Sequence, residues 1–267
     1  MIRAIRAKLT SILADRWFLA IAITFVACLN YAVLLGSGLL QPRPETEALN
    51  QVLRYTLLIN NFHITCQTWG LLLPIFLGCR ILADDRASGQ LYVTLTGNPR
   101  RARFLLGNWM ALVAATLLIM AVVVANYWTL ALTLKIKTVL PDFLVVMGSI
   151  LLNMLVLLTI TAAAASAGTI VTGIIAGLGA LTVFNLAAYQ SVPFIAGGNV
   201  AMGYATRRLL ATLVPIQFVY APSVSHAASL ARYVVVPYVI GNMFIWQGVF
   251  IGLVLGLSLA VFQRRDL

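Results

Sequence analysis

The sequence predicts an all-α polytopic membrane protein with six transmembrane helices, and three observations predict it. Of its 267 residues, 61% are hydrophobic and only 9% are charged, against about 25% charged in an ordinary soluble domain. Mean hydropathy is +0.97, and apolar runs of roughly 20 residues, enough to cross a bilayer as helix, recur along the chain. The alternating segments of about 10 residues that mark an outer-membrane barrel are absent. Water-soluble classes are thereby excluded.

The net charge is +11, but its placement argues against nucleic acid as a partner. Basic residues sit at the ends of apolar segments, where the positive-inside bias and anionic membrane lipid put them. The three cysteines, Cys28, Cys66 and Cys79, lie in or beside apolar segments without metal-ligand spacing. Their odd number excludes a complete disulfide framework, so they are read as small buried apolar residues.

Taken in order, residues 1–16 alternate bases (Arg3, Arg6, Lys8, Arg16) with Ile2, Ile5, Leu9, Ile12 and Leu13. That helical spacing suits an interfacial helix with one face on the membrane; the plainer alternative is a charged tail that only sets orientation. The first span, 17–40, is longer than a signal-peptide core of about 7–15 residues and no A-x-A site follows it, so it is expected to be retained. Gln41 to Glu47, with Pro42 and Pro44, is a polar turn. The second span, 52–82, exceeds what a bilayer needs, so its ends project or Pro74 bends it. After a charged loop, 80–104, the third span covers 104–134. A turn with Lys135, Lys137 and Asp142 leads to the fourth, 143–165. Only Ser166, Ala167 and Gly168 separate it from the fifth, 169–189. Residues 190–236, broken by Pro193, Pro215 and Pro222, are expected to form short interfacial or re-entrant helices buried against the bundle. The sixth span is 239–262.

Six spans place both termini on one side. Together with the loop these termini carry Arg3, Arg6, Lys8, Arg16, Arg80, Arg86, Arg100, Arg101, Arg103, Arg264 and Arg265, more than half of the 18 basic residues. The positive-inside bias makes that side cytoplasmic. Gly173 and Gly177 form a G-x-x-x-G pair in the fifth span, and Gly248, Gly252 and Gly256 a ladder in the sixth. Both spacings let helix backbones approach, within one chain or between two.

The missing chemistry narrows function. There is no G-x-x-x-x-G-K-[ST] phosphate loop and no H-E-x-x-H. Asp15, Glu45, Glu47, Asp84, Asp85, Asp142 and Asp266 all fall in predicted loops or termini. An ion-coupled carrier usually keeps an ionisable group at mid-membrane, so the chain looks poor in means to energise transport alone. An intramembrane hydrolase needs a base beside a nucleophile, and only His63 could serve. Asn30, Tyr31, Gln67, Trp69, Asn185 and Tyr189 line a path or pack; packing is the expectation for most.

The loop 80–104 is then the feature to explain. Residues 81–95 read as a short amphipathic helix, with Asp84, Asp85, Arg86, Ser88 and Gln90 polar and Leu82, Leu91 and Leu95 apolar. Gly89 marks a bend or a close approach, and Gly97-Asn98-Pro99 a turn. Arg100, Arg101 and Arg103 lead into the third span. By composition this is equally an ordinary positive-inside loop carrying a surface helix.

The order of residues resembles the cytosolic loop of ABC-2 type transporter permeases, whose pattern runs approximately E-R-E-x-G-T-L-E-x-L-L-x-x-P-x-S-R-x-E-x-L-L-G-K. Asp85-Arg86, Gly89, Leu91, Leu95, Arg101 and Leu105-Leu106-Gly107 match it, while Ala87, Gln90, Tyr92, Arg103 and Asn108 depart from it and Pro99 falls one place late. The six-span layout, the N-terminal amphipathic helix and the apolar segment before the last span are similar to that family as well. The resemblance implies a single transmembrane domain over 1–267 in a bacterial cytoplasmic membrane, one permease subunit of an exporter. It also implies a partner ATPase subunit that binds ATP and Mg, a second permease copy, and no cofactor or catalysis in this chain. By the same resemblance Asp84, Asp85, Arg86, Ala87, Ser88, Gly89, Gln90 and Leu91 form the coupling helix that docks on the ATPase. Arg100, Arg101 and Arg103 lie on membrane lipid nearby. An ATP-independent carrier or channel using Arg54 or His63 is the alternative from another class, and an intramembrane enzyme relying on His63 a third.

Overall fold

A computed structural model describes residues 2–34, 47–82, 101–196, 209, 213–216 and 237–264. Helix dominates them and no strand occurs among them. The helices are α1 (Ile2–Ala14), α2 (Arg16–Leu34), α3 (Glu47–Thr65), a π-helical turn (Cys66–Gly70), α4 (Leu72–Cys79), α5 (Arg101–Thr133), α6 (Leu140–Ala167), α7 (Ile170–Ala196) and α8 (Pro237–Arg264). Arg101–Thr133, Leu140–Ala167 and Phe244–Arg264 are long and apolar enough to cross a membrane. A fourth candidate is α1 with α2, bent by 67° between Ile5–Ala14 and Arg16–Tyr31.

The bend has a local cause. Asp15 caps α2, accepting the Trp17 amide on Oδ1 at 2.8 Å, while its own amide donates to the Ile12 carbonyl at 3.2 Å. A carboxylate at a helix N-terminus satisfies an orphan donor and complements the helix dipole. The chain therefore restarts in a new direction at one residue.

The second predicted span is not one helix. Pro74 has no N–H to pair with the Gly70 carbonyl, and its ring crowds that carbonyl. The turn before it widens into the π-helical segment Cys66–Gly70, and the helix resumes as α4.

Between α5 and α6 the chain turns through Lys135 at φ 53°, with the Lys135 amide donating to the Leu132 carbonyl at 3.1 Å and the Ile136 amide to Ala131 at 2.8 Å. This is a Schellman stop with lysine where glycine is usual. The fourth and fifth segments are separated only by Gly168 and Thr169, with the Thr169 amide donating to the Thr172 hydroxyl at 2.7 Å.

Helix α6 is central and packs on α4, α7 and α8. Ile150, Met154, Leu157 and Leu158 on it are fully or almost fully buried. Of the 190–236 stretch, 190–196 continue α7. Pro215 and Ile216 are buried, with the Pro215 carbonyl accepting from Gln247 Nε2 at 2.7 Å. Most of the remaining stretch lies outside the described residues.

One reading of the acids needs correction. Asp142 is not in a solvated loop; it stands in the first turn of α6, 2% exposed, and accepts the Tyr55 hydroxyl at 3.0 Å. Helix-dipole stabilisation and the phenol make that burial tolerable.

Candidate functional site

The predicted docking residues Asp84, Asp85, Arg86, Ala87, Ser88, Gly89, Gln90 and Leu91, together with Arg100, lie outside the described residues. The two feet of their loop are described, and both are held.

At the first foot, α4 ends at Cys79. The Arg80 amide donates to the Leu77 carbonyl and the Ile81 amide to Gly78, both at 3.2 Å. Ile81 and Leu82 are buried. The Arg80 guanidinium donates to Asp15 Oδ2 and sits 5.5 Å from the centroid of the Phe76 ring. Asp15 thus caps α2 and grips the foot of the loop at once. Partial burial works to raise its carboxyl pKa, but the Trp17 amide, the Arg80 guanidinium and the Phe18 amide outweigh that effect. They hold it below the usual carboxylate range. Lys8, Ser11, Ile12 and Phe18 from the N-terminal elbow, Phe76 and Leu77 from α4, and Leu112 from α5 line a narrow cleft with the pair.

At the second foot, Arg101 opens α5 and Arg103 is exposed on its first turn. Leu105 is buried, and Asn108 Nδ2 donates to the Ile81 carbonyl at 3.4 Å, joining one foot to the other. Helix α1 packs along α5. A displacement of either foot must therefore move α4, α5 or the N-terminal elbow.

Below mid-bundle, Thr161 of α6 is the residue where three helices meet. Its hydroxyl donates to the Leu157 and Leu158 carbonyls at 2.8 and 3.0 Å and lies 3.4 Å from the Pro74 carbonyl of α4. A Cβ on Gly78 would fall 1.8 Å from Thr161 Oγ1, and one on Gly177 2.3 Å from Thr161 Cγ2. A Cβ on Gly173 would fall 2.9 Å from Ala165 Cβ and 3.1 Å from Cys79 Cβ. Gly173 and Gly177 are thus a packing face within one chain, against α4 and α6. Gly248, Gly252 and Gly256 differ: a Cβ there meets nothing within 4 Å among the described residues. Neither Thr161 nor Gly78 carries a sequence signal, since one hydroxyl and one glycine in apolar helix form no pattern.

The polar side chains inside the bundle mostly pair with one another. Asn126 Nδ2 donates to Asn30 Oδ1 at 2.9 Å, Gln247 Nε2 to Asn153 Oδ1 at 2.6 Å, and His63 Nε2 lies 3.1 Å from Gln67 Nε2. Trp69 is 59% exposed and Tyr31 is also exposed, facing away from the interior. The side chains of Asn185 and Tyr189 lie outside those described. Arg54 is half-buried and His63 buried. No group of three or more metal-ligating side chains occurs among the described residues.

A scan of protein-family models finds no match to the chain, and a search of curated proteins finds none either.

Proposed function

We propose that this chain is the permease subunit of an ABC-2 type exporter, with six spans, both termini cytoplasmic, and energy entering from a separate ATPase through the loop 80–104. The observation that supports it best is the anchoring of that loop. Arg80 is tied to Asp15, and Asn108 to the Ile81 carbonyl, so the loop is joined at its feet to the N-terminal elbow and to two helices. A solvated connector needs no such ties; a lever does. ATP and Mg belong to the partner, and this chain contributes the path and the docking surface, in company with a second permease copy.

Affinity purification from native membranes tests the reading directly: an ATP-binding subunit accompanies the chain. Asp85→Arg and Gly89→Pro abolish ATP-dependent transport while membrane insertion persists. Unchanged transport by both variants sinks the assignment.

One observation favours an ATP-independent carrier instead, namely the buried Asp142 against Tyr55. Transport in proteoliposomes without any ATPase, lost in Asp142→Asn, would select that reading.

A further inference from the structure

The second apolar segment is built from two halves with opposite mechanical character. Below the π-helical turn, α4 is locked. The Pro74 carbonyl faces the Thr161 hydroxyl, Gly78 admits Thr161 so closely that no Cβ would fit, and Cys79 and Ile75 fill the space beside Gly173 and Gly177 of α7. Backbone-close packing of this kind has no slack, because interiors at crystal-like density do not deform continuously. α4, α6 and α7 therefore behave as one body there.

At Cys66–Gly70 the constraints weaken. Pro74 leaves the Gly70 carbonyl without the donor four residues on, and the π-helical turn already departs from regular α-helical pairing. Gln67 Oε1 is buried with no hydrogen-bond partner among the described residues, although its Nε2 reaches His63. The nearest atoms to a Cβ on Gly70 are the tips of side chains, Met154 Cε and the Phe25 ring at 3.1 Å, rather than backbone. Methionine in particular adapts its shape at little cost. Above this turn α3 packs on α2 and, less extensively, on α6, where the Tyr55 hydroxyl donates to Asp142, so it shares none of the backbone-close glycine packing that locks α4.

We infer that the second segment is jointed: 66–71 is a hinge, and α4 below it moves with α6, α7 and the foot of the loop as one rigid unit. The joint's part in transport rests on reading the loop 80–104 as the point where energy enters. Motion delivered at Arg80 would then tilt the locked unit as a whole, pulling on the N-terminus of α2 through Asp15, and the change of angle between α4 and α3 would be absorbed at 66–71.

The joint itself is tested on the purified full chain without any partner. Nitroxide pairs are placed at exposed positions in a background with Cys28, Cys66 and Cys79 replaced by alanine. Leu72 with Leu144 lies inside the proposed unit, and Ile64 with Val171 spans the joint. Pulsed electron–electron resonance should give a narrow distance distribution for the first pair and a broad or two-peaked one for the second. Pro74→Ala, which restores the missing donor and favours regular helix, should narrow the second distribution and leave the first unchanged. Equal widths for the two pairs, or a cross-joint distribution that Pro74→Ala does not alter, overturns the inference. Failure of an ATPase to co-purify would remove the functional reading while leaving this result standing.

Discussion

Asp15 performs two tasks with one carboxylate, and substitutions separate them. Asp15→Asn keeps an acceptor for the Trp17 amide but surrenders the charge that faces Arg80, whereas Asp15→Ala loses both. A lost N-cap costs about 1 kcal/mol, and a part-exposed ion pair, with side chains 32% and 17% exposed, adds at most about 1 kcal/mol. Thermal unfolding in detergent should therefore rank wild type above Asp15→Asn above Asp15→Ala, with the last about 1–2 kcal/mol down. The sign of the pH effect follows from a carboxyl held below its usual value. Its contribution is complete at neutral pH and is lost only as pH falls through the depressed folded value. The gap between wild type and Asp15→Asn should therefore be constant from neutral pH down to the ordinary carboxylate range, near pH 4, and close below it. Lys135 offers the opposite case. Its left-handed backbone costs a side-chain-bearing residue about 1 kcal/mol, so Lys135→Gly should raise the unfolding temperature, provided the Schellman bonds persist.

Among the elements, the two glycine spacings look alike in sequence and differ in space. Gly177→Ala drives a methyl into Thr161 and Ile75, and overpacking of that kind costs about 1–3 kcal/mol. Gly252→Ala meets nothing within 4 Å among the described residues, so it should be neutral, or stabilising by up to about 1 kcal/mol through lower backbone entropy. Unfolding of the monomer in detergent checks both, and equal effects would contradict the packing described here. Gly78→Ala belongs with Gly177→Ala, since its methyl would meet Thr161 Oγ1 and the Leu158 carbonyl. Pro74 was legible in the sequence as a bend. The widening of the preceding turn was not, because which turn yields depends on what surrounds it.

At the scale of the molecule, hydropathy made the helical segments legible. α5, α6 and α8 begin and end within a few residues of the expected third, fourth and sixth spans, and the Gly168–Thr169 break falls at the expected junction. Charge located the loop 80–104 between two apolar stretches, and the order of its residues suggested a coupling role. If that role holds, Asp85→Arg should abolish ATPase-dependent transport, whereas Arg103→Ala, at the exposed start of α5, should weaken lipid association and leave coupling intact. Flotation with anionic vesicles and a transport assay separate the two.

What was hidden from the sequence shares one physical cause. Hydropathy and helical period are local sums over neighbouring residues, so they report which segments leave water and where those segments end. Asp15 with Arg80, Asn108 with Ile81, Tyr55 with Asp142, and Thr161 with Gly78 are pairs far apart in the chain. No local pattern announces such partners. The sequence by itself determined an all-helical, membrane-type chain with a charged loop between apolar segments. Tertiary structure alone decided that the feet of this loop are tied to the N-terminal elbow and to each other, and that one glycine pair is buried in packing while the other ladder meets no neighbour among the described residues. Each of those outcomes depends on which surfaces meet once the helices have assembled.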